Sequence, residues 1–270
     1  MAFYLIDKPV GPTSFDIVRS VRRQLGIRKV WHAGTLDPLA SGLLLVATGT
    51  STRLLEYLSQ KDKQYEACMR LDGVSRTDDS EGPISDIPWA VYVPELDMIQ
   101  SVIEQEFLGD VSQTPSAYSA VKVDGQRAYE VARKWKSLAL PSRQITIYAF
   151  EILSYHFPTL HARLHVSSWT YIRSIARDLG SRLTGGWYVQ SLRRLAIWCL
   201  SIQDARVVSD IEDLDTNNQI PYEEVFSDIG FLSWLTSDQQ SDLALGKKWV
   251  VLPEISQWKY FVRYADDSVG

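Results

Sequence analysis

Asp37 stands before Pro38 in the stretch WHAGTLDPLASG, a turn of small residues that leads into the apolar run LLLVA. A carboxylate on a rigid loop at a strand end is a common mounting for catalysis, although Asp before Pro also initiates turns with no chemical duty. Three more side chains could act with it. His32 lies five residues upstream, Tyr65 sits in KQYEACMRL, and Arg173 follows Tyr171 and Ile172 at the start of a helical segment. A cation near the positive end of a helix is mildly unfavourable, so Arg173 is expected to turn inward toward a buried anion. Each residue also has an ordinary reading, Tyr65 as a core aromatic and His32 as a polar loop residue. GTSTRL lacks the lysine and spacing of a phosphate loop, and no serine stands in a nucleophile elbow. His161 and His165 fall in a strand-like segment, so with His32 and His156 they make no metal site. The chemistry expected is free of metal and cofactor and rests on a carboxylate, a tyrosine or an arginine.

The elements that must hold these groups read as a mixture of strands and helices without regular βα alternation, hence α+β. AFYLI is an opening strand and DKPVGPTS a loop. The next segment is a helix with Ser14 as N-cap, Ile17, Val18, Val21 and Leu25 on its apolar face, and Gly26 as its stop. GLLLVATG reads as a buried strand, followed by a short helix capped by Thr50 or Ser51. Period-two alternation in KQYEACMRL puts Tyr65, Ala67, Met69 and Leu71 on one face. DGVSRTDDSEGPISDIP is expected to be a surface excursion, and PELDMIQSVIEQEFLG a helix with Pro94 and Glu95 in its first turn. SAVKVDGQRAYEVARKW reads as a hairpin turning at Asp124-Gly125 and leading into a basic helix. ITIYAFEILSY, ARLHVSS and SLRRLAIWCLSI are strands, with the helix YIRSIARDLGSRL before the last.

The formal net charge of −5 argues against a nucleic-acid partner until its distribution is examined. Residues 1–60 carry 7 Lys/Arg against 4 Asp/Glu, and residues 110–200 carry 12 against 5, whereas 61–109 and 201–270 are acidic. If the two basic blocks meet, a positive face exists despite the acidic total. No apolar run approaches a membrane span and MAFYLI is too short for a signal-peptide core. Cys68 and Cys199 are read as reduced core thiols of a cytoplasmic protein.

Six blocks then follow in order: DKPVGPTS, HAGTLDPLASGLLLVATG, KQYEA, TPSAYSAVKVDGQRAYEVAR, TYIRSIARDLG and GGWYVQSLRR. Together they resemble the TruB family of tRNA pseudouridine synthases in its bacterial form, from about residue 2 to about 205. GTLDPLASG is highly specific. The resemblance implies the pseudouridine-synthase fold, with a mixed, mainly antiparallel central sheet flanked by helices. It divides the chain into a catalytic domain (1–205), an acidic connecting segment (206–236) and a partial PUA-like C-terminal piece (237–270). It implies isomerisation of the T-loop uridine at tRNA position 55, no cofactor and no metal, a tRNA T-arm as partner, no membrane, and a monomer.

By the same resemblance Asp37 is the essential aspartate, Tyr65 stacks on the target base, and Arg173 pairs with the aspartate. His32 pushes into the T-loop when the uridine leaves the stack. Tyr171 and Leu192 line the uracil pocket, and Lys8 and Pro9 belong to the N-terminal motif that supports it. Phosphate contacts are expected from Arg19, Arg22, Arg23, Arg28, Lys29, Arg193 and Arg194. The reaction breaks a C–N glycosidic bond and rejoins uracil C5 to ribose C1′, which needs an anion beside an electron-poor carbon. An arginine within a few ångströms would keep that carboxylate ionised. Trp169 departs from the family, which usually has glycine before TYIR; a bulky side chain there would narrow the pocket or pack behind it. Two other functions compete: an RNA-binding module or tRNA folding chaperone that needs no catalysis, and a retaining glycosidase. The latter requires a second carboxylate about 5 Å from the first and ranks last, since Asp37's expected partners are an arginine and a tyrosine.

Overall fold

A computed structural model describes residues 2–87, 93–119, 122–123, 126–127, 140–183, 185–204, 207–227, 230–232 and 260–262. The chain runs β1 (Ala2–Lys8), α1 (Ser14–Leu25), β2 (Val30–Ala33), β3 (Ala40–Thr48), α2 (Leu55–Ser59) and β4 (Lys63–Arg70). There follow β5 (Gly73–Ser75), β6 (Ile84–Asp86), α3 (Leu96–Val102), β7 (Gly109–Gln113), β8 (Lys122–Val123) and β9 (Gln126–Arg127). The remainder is β10 (Arg143–His156), β11 (Thr159–Val166), α4 (Ile172–Leu183), β12 (Tyr188–Ile197), β13 (Leu200–Ser201), β14 (Gln219–Ile220), α5 (Tyr222–Val225), β15 (Gly230–Leu232) and β16 (Tyr260–Val262).

Ten strands form one sheet in the order β14-β1-β3-β12-β4-β11-β10-β7, with β2 added to β3 and β13 to β12. Every pairing within it is antiparallel except β3 with β12, so the sheet is mixed and mainly antiparallel. The uninterrupted apolar run of β3 follows from its place in the middle. Leu43, Leu45 and Ala47 join one buried cluster and Leu44 and Val46 another, so both faces of the strand are covered. Tyr65, Ala67 and Met69 of β4 lie in a third cluster with Ile172, Ile175, Ala176 and Leu179 of α4. That packing lays α4 over the centre of the sheet. At the parallel junction Leu192 stands opposite Ala40, and Arg194 opposite Gly42. The approach is close: a Cβ on Gly42 (φ +102°) would lie 2.2 Å from the Arg194 carbonyl oxygen, so only glycine fits.

Several local expectations change. Thr13, not Ser14, is the N-cap of α1, and it forms a reciprocal capping box with Asp16. The helix ends at Gly26 in the left-handed conformation, as its sequence suggests. Glu95 is the N-cap of α3 and lies outside its first turn. The segment after β3 begins as a 3-10 turn, Gly49–Leu54, and α2 has no side-chain cap. Cys68 is buried, but Cys199 is exposed.

The stretch after residue 206 is acidic yet docked: Gln219 and Ile220 pair with β1, and Val208, Leu214, Val225 and Phe226 are buried. Of the expected hairpin, β8 and β9 pair, while its Asp124-Gly125 turn and the basic helix beyond lie outside the described residues. Of the C-terminal piece only β16 is described, paired in parallel with β15. Among the described residues no helix is long and apolar enough to cross a membrane.

Candidate active site

Asp37 is the third residue before β3, and its carbonyl accepts from the Ala40 N–H at 3.0 Å in the turn that opens the strand. Three sets of bonds hold this loop. The buried Ser14 hydroxyl donates to Leu36 O at 3.1 Å and accepts from Leu36 N–H at 2.8 Å. The Gly11 N–H meets Pro38 O at 2.8 Å, tying the KPVGPTS loop to the residue after Asp37. That loop is itself clamped by Lys8, whose Nζ donates to Pro9 O and Pro12 O, each at 2.8 Å. From the other side Arg194 donates to Leu43 O at 2.7 Å and to Gly34 O at 3.1 Å. The backbone around Asp37 is therefore fixed at residues before and after it.

Arg173 does turn inward. Its Nη2 lies 2.9 Å from Asp37 Oδ2 and its Nη1 3.3 Å from Asp79 Oδ2. It also donates to Thr77 O at 2.7 Å and to Tyr118 O at 3.2 Å. The start of α4 is set by Gln113, whose side chain accepts from the Tyr171 N–H at 2.9 Å and donates to Tyr171 O at 3.1 Å. Two carboxylates and two carbonyls thus offset the burial of a guanidinium at a helix start. The exposures separate the roles. The Arg173 side chain is 4% exposed and that of Asp79 3%, whereas Asp37 is 37% exposed. Asp79 anchors the arginine, and the arginine presents Asp37.

Asp37 opens into a cavity of about 340 Å³ lined also by His32, Tyr65, Tyr171, Arg173 and Leu192. Tyr65 comes from β4, Leu192 from the neighbouring β12, and Tyr171 from the entry to α4. Burial raises the Tyr171 phenol above its usual pKa, against the Arg143 charge, which lowers it and whose guanidinium lies 5.6 Å from the ring centre. His32 is on strand β2 rather than in a loop, paired with Val46. Burial, helped by the nearby Arg194 charge, lowers its pKa to about 4, so the ring is neutral near pH 7. Its Nδ1 is buried without a partner among the described residues, and the ring lies nearly parallel to that of Trp31, 5.7 Å away.

Other sequence-predicted residues are placed differently. Lys8 does not line the cavity: it is fully buried beneath the loop, and burial lowers its pKa to about 8 although Asp37 pulls it upward. Arg194, expected on the RNA face, is 1% exposed, because its guanidinium serves loop carbonyls. Arg193 forms a two-pronged pair with Asp7 at 3.0 and 2.7 Å. Arg19 pairs with Asp16, and Arg22 donates to Val30 O at 2.9 Å. Arg23, Arg28 and Lys29 are exposed and carry no ion pair among the described residues.

Sequence reasoning missed Asp79, because the acidic excursion around it reads as solvated. In the structure that excursion is pinned to β12: Ser80 N–H meets Val189 O at 2.9 Å, and Val189 N–H meets Asp78 O at 3.1 Å. Asp78 also pairs with Arg177 at 3.1 Å. The available signal was the pair of arginines four apart on α4, which present two cations on one helix face to two adjacent aspartates. Ser14 and Gln113 were missed as well.

Comparisons with known proteins bear on the family and on the fold. Residues 22–172 match the family described as TruB family pseudouridylate synthase (N terminal domain). The tRNA pseudouridine synthase B of Leifsonia xyli subsp. xyli is 42% identical over 251 residues, which cover 90% of this chain and 82% of that one. The protein of the same name from Corynebacterium glutamicum (strain ATCC 13032) is 35% identical, with the same coverage. A chain in the crystal structure of a Cbf5-Nop10-Gar1 complex superposes with a TM-score of 0.71 at 23% identity, covering 99% of this chain and 76% of that chain. At that identity the likeness bears on the fold, and it is the fold of the sheet described above. This chain belongs to the TruB family of pseudouridylate synthases.

Proposed function

We propose that this protein isomerises uridine to pseudouridine in tRNA, at the T-loop uridine of position 55, with Asp37 as the nucleophile. The observation that carries this reading is the carboxylate of Asp37, held by a buried arginine yet open to the cavity. The relatives named tRNA pseudouridine synthase B support tRNA as the substrate. In the reaction the C1′–N1 bond breaks, the uracil turns, and a C5–C1′ bond forms while C5 gives up its hydrogen as a proton and N1 takes one up. Every route between these states needs an anion beside an electron-poor carbon, and Asp37 supplies it without reorganisation. Tyr65 offers a ring face for the uracil and a phenol for the proton transfer. Leu192 and Tyr171 close the pocket around an apolar ring edge.

The target base must leave its stack to reach Asp37. A neutral, flat His32 at the cavity wall suits the vacated position, because no charge has to be desolvated when it enters. The exposed Arg23, Arg28 and Lys29 are free for phosphate contacts. A retaining glycosidase would need a second carboxylate in the same cavity. Asp79 is the near candidate, and it is sealed behind Arg173 outside the lining.

The test is Asp37→Asn, read by tritium release from tRNA carrying 5-tritiated uridine and by tRNA binding. Loss of release by more than about 10³-fold with binding retained is expected, since the nucleophile is removed and the binding surface is not. Release at the parental rate refutes the assignment. Survival of cellular function in this variant would favour the folding-chaperone alternative.

A further inference from the structure

Two tryptophans at the mouth of the cavity are left unused by this mechanism. Trp169, between β11 and α4, is 60% exposed and Trp31, on β2, is 47% exposed. Trp169 sits at φ +66°, a left-handed conformation that costs a bulky side chain free energy and suits glycine. It makes no ring contact among the described residues that would offset this cost. It does not pack behind the pocket, as one sequence expectation had it, but stands at its wall.

The position of each indole suggests what it meets. Trp169 is a shared wall between the Asp37 cavity and a neighbouring groove of about 840 Å³ that also contains Arg143, Thr146 and Ser167. Asp110 lines that groove too, with its carboxylate bonded to the Thr146 hydroxyl at 2.7 Å, and it forms no ion pair with Arg143 among the described residues. Trp31 is likewise a shared wall, between the cavity and a groove of about 530 Å³ lined by Arg22, Arg28 and Lys29. The Asp37 cavity therefore borders the basic groove at Trp31 and the Arg143 groove at Trp169. A single strand of nucleic acid that places one base in the central hollow brings a neighbouring base toward the hollow on each side. Indoles accept any base because every base has a π-face.

We propose that Trp169 and Trp31 are stacking platforms for the bases of the two nucleotides that flank the reacting uridine. Arg143 on one side and Arg22, Arg28 and Lys29 on the other lie along the backbone. The inference rests on the reading that the central cavity takes a uridine of an RNA. It predicts that this chain grips its substrate through unstacked neighbours of the target, in addition to any contact with folded tRNA.

The experiment is Trp169→Gly, which suits the left-handed backbone and so leaves folding intact, with Trp31→Ala as its partner. Equilibrium binding of a T-arm stem-loop RNA is measured by fluorescence anisotropy in the Asp37→Asn background, with and without an abasic residue on each side of the target uridine. Each tryptophan variant should weaken binding of the intact RNA by about 5- to 150-fold, as expected for one stacked base. The loss should disappear when the abasic site replaces the base that the missing indole had stacked. Unchanged binding in Trp169→Gly, or an equal loss on intact and abasic RNA, overturns the proposal. Tritium release by the parent protein is assayed in parallel. If the parent releases tritium while Trp169→Gly binds normally, the platform fails and the pseudouridine reading stands. If the parent forms no pseudouridine but the coupled loss is seen, the platform stands and the reading of the reaction falls.

Discussion

Replacing Ser14 with alanine tests whether the loop that carries Asp37 is held from α1. The hydroxyl is buried and is bonded both to the carbonyl and to the amide of Leu36, the residue before Asp37. Alanine fills nearly the same space but leaves one buried N–H and one buried C=O without that partner. At about 1–3 kcal/mol for an orphaned group, softened by relaxation of the loop, the loss should be roughly 2–4 kcal/mol. In a chain of this size that corresponds to a fall in Tm of roughly 5–15 °C. If the loop relaxes by as much as an ångström, the geometry of the proposed attack by Asp37 suffers and kcat should fall by about 10- to 100-fold. RNA binding should change by less than about twofold, because Ser14 lines no part of the cavity. Urea denaturation, tritium-release kinetics and RNA binding measure the three quantities. A variant with parental stability and parental kcat would refute the view that Ser14 holds Asp37 in place. A variant that loses binding but keeps kcat would refute it equally.

Asp79→Asn should cost more stability than Asp37→Asn, about 3 kcal/mol, because it uncouples a sealed ion pair whereas Asp37 is partly solvated; urea denaturation of the two variants compares them, and kcat should fall in Asp79→Asn although the residue lies outside the cavity. His32 should stay neutral down to about pH 4. Its folded pKa lies below the unfolded value of about 6.5, so the unfolded chain binds the proton first and this contribution to stability is lost as pH falls from about 6.5 toward 4. His32→Gln should flatten that part of the stability profile, and proton NMR of the His32 ring should give the midpoint directly. Gly42→Ala should destabilise by more than about 4 kcal/mol, since the methyl would meet the Arg194 backbone at 2.2 Å in a conformation that disfavours it; circular dichroism and denaturation would show this.

The parts that could be read from the sequence were those whose cause is local. Alternation in β4 places Tyr65 inward because the strand has one buried face. The unbroken apolar run of β3 marks a strand covered on both faces. Arg173 betrayed a buried anion by standing at the wrong end of a helix. What stayed hidden depends on partners far along the chain. Asp78 and Asp79 look solvated until Arg173 and Arg177, almost a hundred residues later, fold over them. Arg194 looks like a surface cation beside Arg193 until the β3–β12 junction encloses it. Ser14 looks like a cap because it opens a helix, yet the neighbouring threonine caps and the serine serves another loop.

The parallel pairing of β3 with β12 has a consequence for how the protein is made. Asp37 and the first three residues of β3 leave the ribosome early, but the strand that completes their edge, and the arginine that pairs with the carboxylate, are encoded more than 130 residues downstream. At about 5–20 residues per second this interval lasts roughly 8–30 s. Throughout it residues 40–42 at the start of β3 lack their partner on one edge, a hazard for wrong pairing. The cavity around Asp37 is therefore one of the last features of the sheet to form, and a nascent chain that stops short of β12 carries the whole GTLDPLASG loop without the cavity it opens into.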